Sequence, residues 1–123
     1  MKKNTLKILV ILLILSSCNN KVEAIFKISN QTGFEIDSLK IEPMVIQDGK
    51  YISLKPEEEI KYSSDMTGIA KIDGNYRISY HQNGETIVKD FGYYTNGYPL
   101  EDLTIIEILS DTILIKSEID NTY

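Results

Sequence analysis

Few side chains in this 123-residue chain could do chemistry, and their types narrow what that chemistry would be. His81 is the only histidine and Cys18 the only cysteine. A catalytic role for His81 requires a nucleophile and an orienting acid gathered around it. Ser79 alternates onto the same strand face, but no further signature follows, and His81 reads as an exposed strand-end residue two positions before Asn83. One imidazole and one thiol give zinc no ordinary ligand set. Asp65, Asp73, Asn75 and Asp90 carry oxygens suited to calcium, yet the regular spacing of a calcium loop is missing. Asp73-Gly74-Asn75 is better read as a turn before a strand, and Glu57-Glu58-Glu59 as a solvated loop. Carboxylates scattered in this way do not mark a glycosidase. The expectation is a chain without catalytic residues and without a metal.

The most unusual stretch is Phe91-Gly92-Tyr93-Tyr94-Thr95-Asn96-Gly97-Tyr98-Pro99-Leu100, three tyrosines and two glycines read as a loop after a strand. Tyrosine combines a flat apolar face with a hydroxyl, so an exposed group of them suits sugar rings or a protein surface. Tyr93, Tyr94, Asn96 and Tyr98 are therefore the candidate binding surface. The competing and favoured reading has the rings covering the open end of a sandwich, with glycines at positive φ. Strand alternation divides the rings further: Tyr94 buried, Tyr93 and Tyr98 more exposed, provided the chain breaks register at Gly92 so that Phe91 also faces the core.

The N-terminus carries an address. Lys2, Lys3 and Lys7 precede the apolar run Ile8-Leu9-Val10-Ile11-Leu12-Leu13-Ile14-Leu15, and small Ser16-Ser17 precede Cys18. This is the three-zone order of a secretory signal peptide, and its apolar run is far shorter than the roughly 20 residues a membrane-spanning helix needs. The step Leu15-Ser16-Ser17-Cys18 resembles the lipobox of bacterial lipoproteins. That resemblance, confined to residues 1–18, implies cleavage before Cys18 and lipid on its thiol, with no free thiol left for a disulfide or a metal. The expected cofactor state is accordingly none beyond the covalent lipid. Residues 1–17 are then the signal peptide, 18–21 the lipidated Cys18 and a short tether, and 22–123 a single domain. Asn19, Asn20 and Lys21 span little more than about 10 Å, which holds the domain against the headgroups. The implied location is the bacterial cell envelope, at the outer membrane, with the membrane face left open.

The elements that must position any site read as strands. The region after Ser17 contains 17 Ile and only two Ala, Ala24 and Ala70, and the chain has eight Tyr, so strand formers dominate. Val22, Ala24, Phe26 and Ile28 alternate with polar residues up to the turn cluster Asn30-Gln31-Thr32-Gly33. Phe34 and Ile36 set one face while Leu39 and Ile41 fall on the opposite parity, which predicts a bulge near Asp37-Ser38 or a change of sheet. Asp48-Gly49 reads as a turn before Tyr51-Ile52-Ser53-Leu54, and Pro56 ends that strand. Asn83-Gly84 between alternating runs predicts a type I′ hairpin. Its register pairs Tyr80 with Ile87 and Tyr76 with Phe91 on one face, and Arg77 with Asp90 on the other. The same reasoning around Ser110-Asp111 gathers Ile106, Ile108, Ile113 and Ile115. These runs predict an all-β domain of about eight strands, a single antiparallel β-sandwich of immunoglobulin-like type, with a small barrel as the main alternative.

Charge narrows the partners. Loss of Lys2, Lys3 and Lys7 leaves 10 basic against 18 acidic side chains, net -8. Phosphate backbones need a basic face, so nucleic acid is not an expected partner. The expectation is a non-enzymatic binding or accessory module of the envelope, held to the membrane by lipid and contacting an unknown protein or glycan. The alternative is an acidic inhibitor or immunity protein directed at a basic envelope-targeting enzyme such as a muramidase.

Overall fold

A computed structural model describes residues 20–45 and 51–119. The expected signal peptide, Cys18 and the expected turn at Asp48-Gly49 lie outside the described residues. Nine strands follow one another: β1 Glu23–Asn30, β2 Ile36–Glu42, β3 Ile52–Leu54, β4 Glu59–Asp65, β5 Gly74–Gln82, β6 Glu85–Thr95, β7 Tyr98–Pro99, β8 Leu103–Ile108 and β9 Ile113–Glu118. They form a sandwich of two sheets, ordered β4-β1-β8-β9 and β3-β2-β5-β6-β7.

One pairing departs from the expected antiparallel pattern, since β1 and β8 run parallel, with Ile28 opposite Ile106. A parallel pair needs a crossover, and the long path from Asn30 to Leu103 through β2 to β7 supplies it. The immunoglobulin-like order is not confirmed. In a constant-type immunoglobulin sandwich the first two strands share a sheet, whereas β1 and β2 here belong to different sheets.

Alternation builds the core as read from the chain. Ala24, Phe26 and Ile28 of β1 are buried, as are Tyr76, Ile78 and Tyr80 of β5. Phe26 meets Tyr76 edge-on, with centroids 5.3 Å apart, and Phe91 at 5.9 Å. Edge-to-face pairs of this kind add about 0.5–1.5 kcal/mol to the burial itself. The Asn83-Gly84 turn has φ of 52° and 77° at its two residues, the left-handed pair that a type I′ turn requires. It sets the register read from sequence: Tyr80 opposite Ile87, Tyr76 opposite Phe91, Arg77 opposite Asp90. β8 and β9 likewise pair Ile106 with Ile115 and Ile108 with Ile113.

β2 is bulged where its parity changes. Its register shifts between Asp37 and Lys40, and Ser38 has φ of 52°. The extra residue lets Ile36, Leu39 and Ile41 all reach the core. Phe34 does not share the face of Ile36 as expected. It is 52% exposed, because Phe34 precedes β2 in an irregular turn whose carbonyl accepts a hydrogen bond from the Asn30 side chain at 2.8 Å.

The molecule has two unlike ends. Where the chain enters at Val22, the amide of Met66 donates to the Val22 carbonyl at 2.8 Å, and the Val22 amide donates to Thr67 Oγ1 at 3.0 Å. The Val45 amide bonds to the Asp65 carbonyl, the Asp102 amide to the Glu118 carbonyl and the Gly97 amide to the Ile72 carbonyl, which gathers those segments at the end where the chain enters. The far end holds the turns after β1, β3, β5 and β8. There Asn30, fully buried, donates through Nδ2 to the Phe34 and Leu54 carbonyls and accepts at Oδ1 from the Thr32 amide and hydroxyl. Gln82 completes the network by donating to Thr32 Oγ1 at 2.8 Å. The turn cluster is present, and within it the buried Asn30 and Thr32 form a polar plug between the sheets.

Candidate functional site

The tyrosine-rich stretch is mostly strand. Its first half is the end of β6, Asn96-Gly97 turns with φ of 49° and 74°, and β7 returns with Thr95 opposite Tyr98 and Tyr94 opposite Pro99. This is a second hairpin of the Asn-Gly type, where the sequence reading expected a loop. Asn and Gly tolerate left-handed backbone, so the turn chemistry at Asn96-Gly97 matches that at Asn83-Gly84. Only two residues of β7 follow it, too few to show an alternation.

Register breaks at Gly92, as alternation required. The pairing shifts between Gly74 and Tyr76, and Gly92 takes φ of 56°. A Cβ there would also stand 3.0 Å from the Tyr76 ring. The bulge lets Phe91 and Tyr94 both face inward. Tyr94 is only 9% exposed and packs against Tyr76 with centroids 5.4 Å apart. It therefore leaves the candidate surface and belongs to the core. Tyr93 and Tyr98, 42% and 47% exposed, stay on the surface. Asn96 is exposed, and its backbone serves the turn.

Asp73 organises this surface, a role the sequence did not disclose. Tyr93 donates its hydroxyl to Asp73 Oδ2 at 2.7 Å, Thr95 donates to Oδ1 at 2.7 Å, and the Asn96 amide donates to the same oxygen at 2.8 Å. The Tyr93 hydroxyl, then the Asn96 amide and the Thr95 hydroxyl, hold the Asp73 carboxyl below the usual carboxylate range. The same hydrogen bond pushes the Tyr93 phenol up. Beside them, Lys71 places its ammonium 4.6 Å from the centre of the Tyr98 ring. No local pattern links residue 73 to residue 93, so the only available signal was the Asp-Gly pair itself.

The other residues with chemical potential do not converge here. Asp90 takes two hydrogen bonds from Arg77, 2.6 Å from Nε and 3.0 Å from an Nη nitrogen, and Asp65 caps the Thr67 amide. Asn75 donates to the Gly92 carbonyl. The four oxygen-bearing residues Asp65, Asp73, Asn75 and Asp90 thus serve four separate local contacts. His81 is exposed on the outer face of β5, opposite Thr86. It shares a shallow groove of about 560 Å³ with Lys40, Tyr51, Arg77, Ser79 and Val88. What the tyrosine hairpin can do chemically is present two exposed aromatic rings, one held through its hydroxyl by Asp73 and the other with the Lys71 ammonium over its face. No protein-family model matches the chain, and no curated protein matches it.

Proposed function

We propose that this chain is a lipid-anchored, non-enzymatic binding module of the bacterial cell envelope, and that Tyr93 and Tyr98 form its contact surface. One observation carries the reading. Tyr93 is an exposed ring whose orientation is already fixed by Asp73, beside the equally exposed Tyr98 under Lys71. A ring ordered before contact loses little conformational entropy on binding, which is what makes tyrosine effective at interfaces. The lipid anchor rests on the lipobox-like step ending at Cys18.

The test separates contact from core. Tyr93→Ala and Tyr98→Ala should leave the melting temperature nearly unchanged while weakening capture of the native envelope partner by about 2 kcal/mol, the scale of a hot-spot aromatic. A fall in melting temperature matching the loss of capture would reduce both rings to core cover. For the anchor, Cys18→Ser should abolish acyl labelling and membrane retention, and unchanged retention would remove it.

A second reading has its own support at the far end. Glu35, Glu57, Glu58, Glu85 and Asp111 are exposed on its turns, with Lys55 as the base among them. That suits an acidic inhibitor of a basic enzyme. Its binding should weaken steeply with salt, whereas contact through Tyr93 and Tyr98 should not.

A further inference from the structure

The exposed large apolar side chains are not spread evenly. Among the described residues six of the ten, Val45, Ile72, Tyr93, Tyr98, Leu100 and Ile119, belong to the end where the chain enters at Val22, the tether end, or to its edge, and Ile72 is 62% exposed, while Phe34, Tyr51, Val88 and Leu114 lie elsewhere. Their placement follows from the hydrogen bonds already described. The Ile72 carbonyl takes the Gly97 amide beside Tyr98, the Val45 amide donates to the Asp65 carbonyl at the end of β4, and Ile119 follows Glu118 next to Asp102. A Cβ on Gly68 would meet Val45 at 3.3 Å, so the loop before Ile72 also abuts Val45. The chain enters at this same end through Lys21 and Val22, four residues at most from Cys18. Fully extended, four residues reach only about 14 Å.

We infer that the surface of Tyr93 and Tyr98 contacts the lipid bilayer itself, with Ile72, Leu100 and Val45 entering the headgroup region and the far end facing away from it. The inference rests on the lipid anchor and contact surface proposed above, and names the partner as lipid. A domain tethered so closely has no choice about which end meets the headgroups, and the end it presents carries most of the exposed large apolar side chains. Tyrosine suits that position because its ring favours the interface while its hydroxyl stays hydrated. Each contact can be weak, since the anchor keeps the local lipid concentration very high.

Charge sets the kind of lipid. The tether end carries Glu23, Asp65, Asp73, Glu101, Asp102 and Glu118 against Lys21 and Lys71. An anionic surface would not attract it, so the matching surface is zwitterionic and the contact apolar in origin.

The chain contains no Trp, so one introduced indole reports alone. Tyr98→Trp marks the tether end and Phe34→Trp, 52% exposed, the far end. Each full-length variant is taken from membranes in its anchored form and placed in phosphatidylcholine vesicles in which part of the lipid carries brominated acyl chains. Tyr98→Trp should be quenched several-fold more than Phe34→Trp, and adding anionic lipid should not increase the difference. Equal quenching of the two, or stronger quenching of Phe34→Trp, overturns the inference. If Tyr98→Trp is untouched by brominated lipid but shielded from acrylamide only in the native envelope, lipid is wrong and a protein or glycan occupies the contact surface. If it is open to acrylamide in both settings, the contact surface fails with it. Ile72→Trp repeats the measurement at a position whose side chain supports no core contact, in case Tyr98→Trp disturbs the hairpin.

Discussion

Asp73 accepts three hydrogen bonds while remaining at the surface, so its effect lies in where it holds the Tyr93 ring more than in bulk stabilisation. Its carboxyl is depressed below the ordinary 3.8, which means that the bonds are intact above that value and are lost as pH falls through the lower folded value. The Tyr93 phenol, raised above the ordinary 10.0, works in the opposite sense, and its bond is lost as pH rises through the raised value. Between those limits the ring is fixed. Asp73→Ala should return the Tyr93 phenol toward its ordinary value, read by ultraviolet titration of the phenolate with Tyr93→Phe as the reference, and should leave the core tyrosines unaffected. An unchanged titration would show that Asp73 does not hold the ring. The split between Tyr94 inside and Tyr93 outside was legible because alternation plus one break at Gly92 decides it. The Asp73 contact was not, because it joins residues 20 apart across a register shift that no local pattern encodes.

Elements were legible where a turn type fixes the pairing. Asn83-Gly84 alone determines the register of β5 with β6, down to the bidentate Arg77 and Asp90 pair on the outer face. That pair is solvent-exposed and adds little energy, so the turn is the element's real determinant. Gly84→Val should destabilise the domain by about 1 kcal/mol or more, because a β-branched side chain is strained at φ of 77°. A melting temperature equal to wild type would refute the turn assignment. Gly74 acts by space and not by φ. A Cβ there would collide with the Tyr94 hydroxyl end, so Gly74→Ala must push that ring out of its packing against Tyr76. The expected cost is about 1–3 kcal/mol in chemical denaturation, as for other overpacked cores, and none would mean that Tyr94 is free to move aside. What alternation could not supply was Phe34, whose exposure depends on Asn30 capturing its carbonyl, and the parallel partner of β1, which arrives some 75 residues later.

At the scale of the whole molecule the two ends are built differently. The end where the chain enters at Val22 is closed by loops and carries six of the exposed large apolar side chains, whereas the far end is closed by buried hydrogen bonds, and carboxylates stand at both. Asn30 is the centre of that closure. It lies on β1 of one sheet and donates to the Leu54 carbonyl on β3 of the other, and through Thr32 it reaches Gln82 at the end of β5. Removing its side chain leaves the buried Leu54 carbonyl and the Thr32 amide without these partners, and each unpaired buried group costs about 1–3 kcal/mol. Asn30→Ala should therefore lower the stability of the domain by about 2–4 kcal/mol, a large part of what a single domain of this size possesses. Because the plug joins the sheets, amide exchange should accelerate together in β1 and β5. Tyr98→Ala, at the other end and outside the core, should accelerate exchange only near β7. Faster exchange confined to the turn at residues 31–35 in the Asn30 variant would show that the two sheets are held together by their apolar core alone and that the plug merely shapes a surface turn.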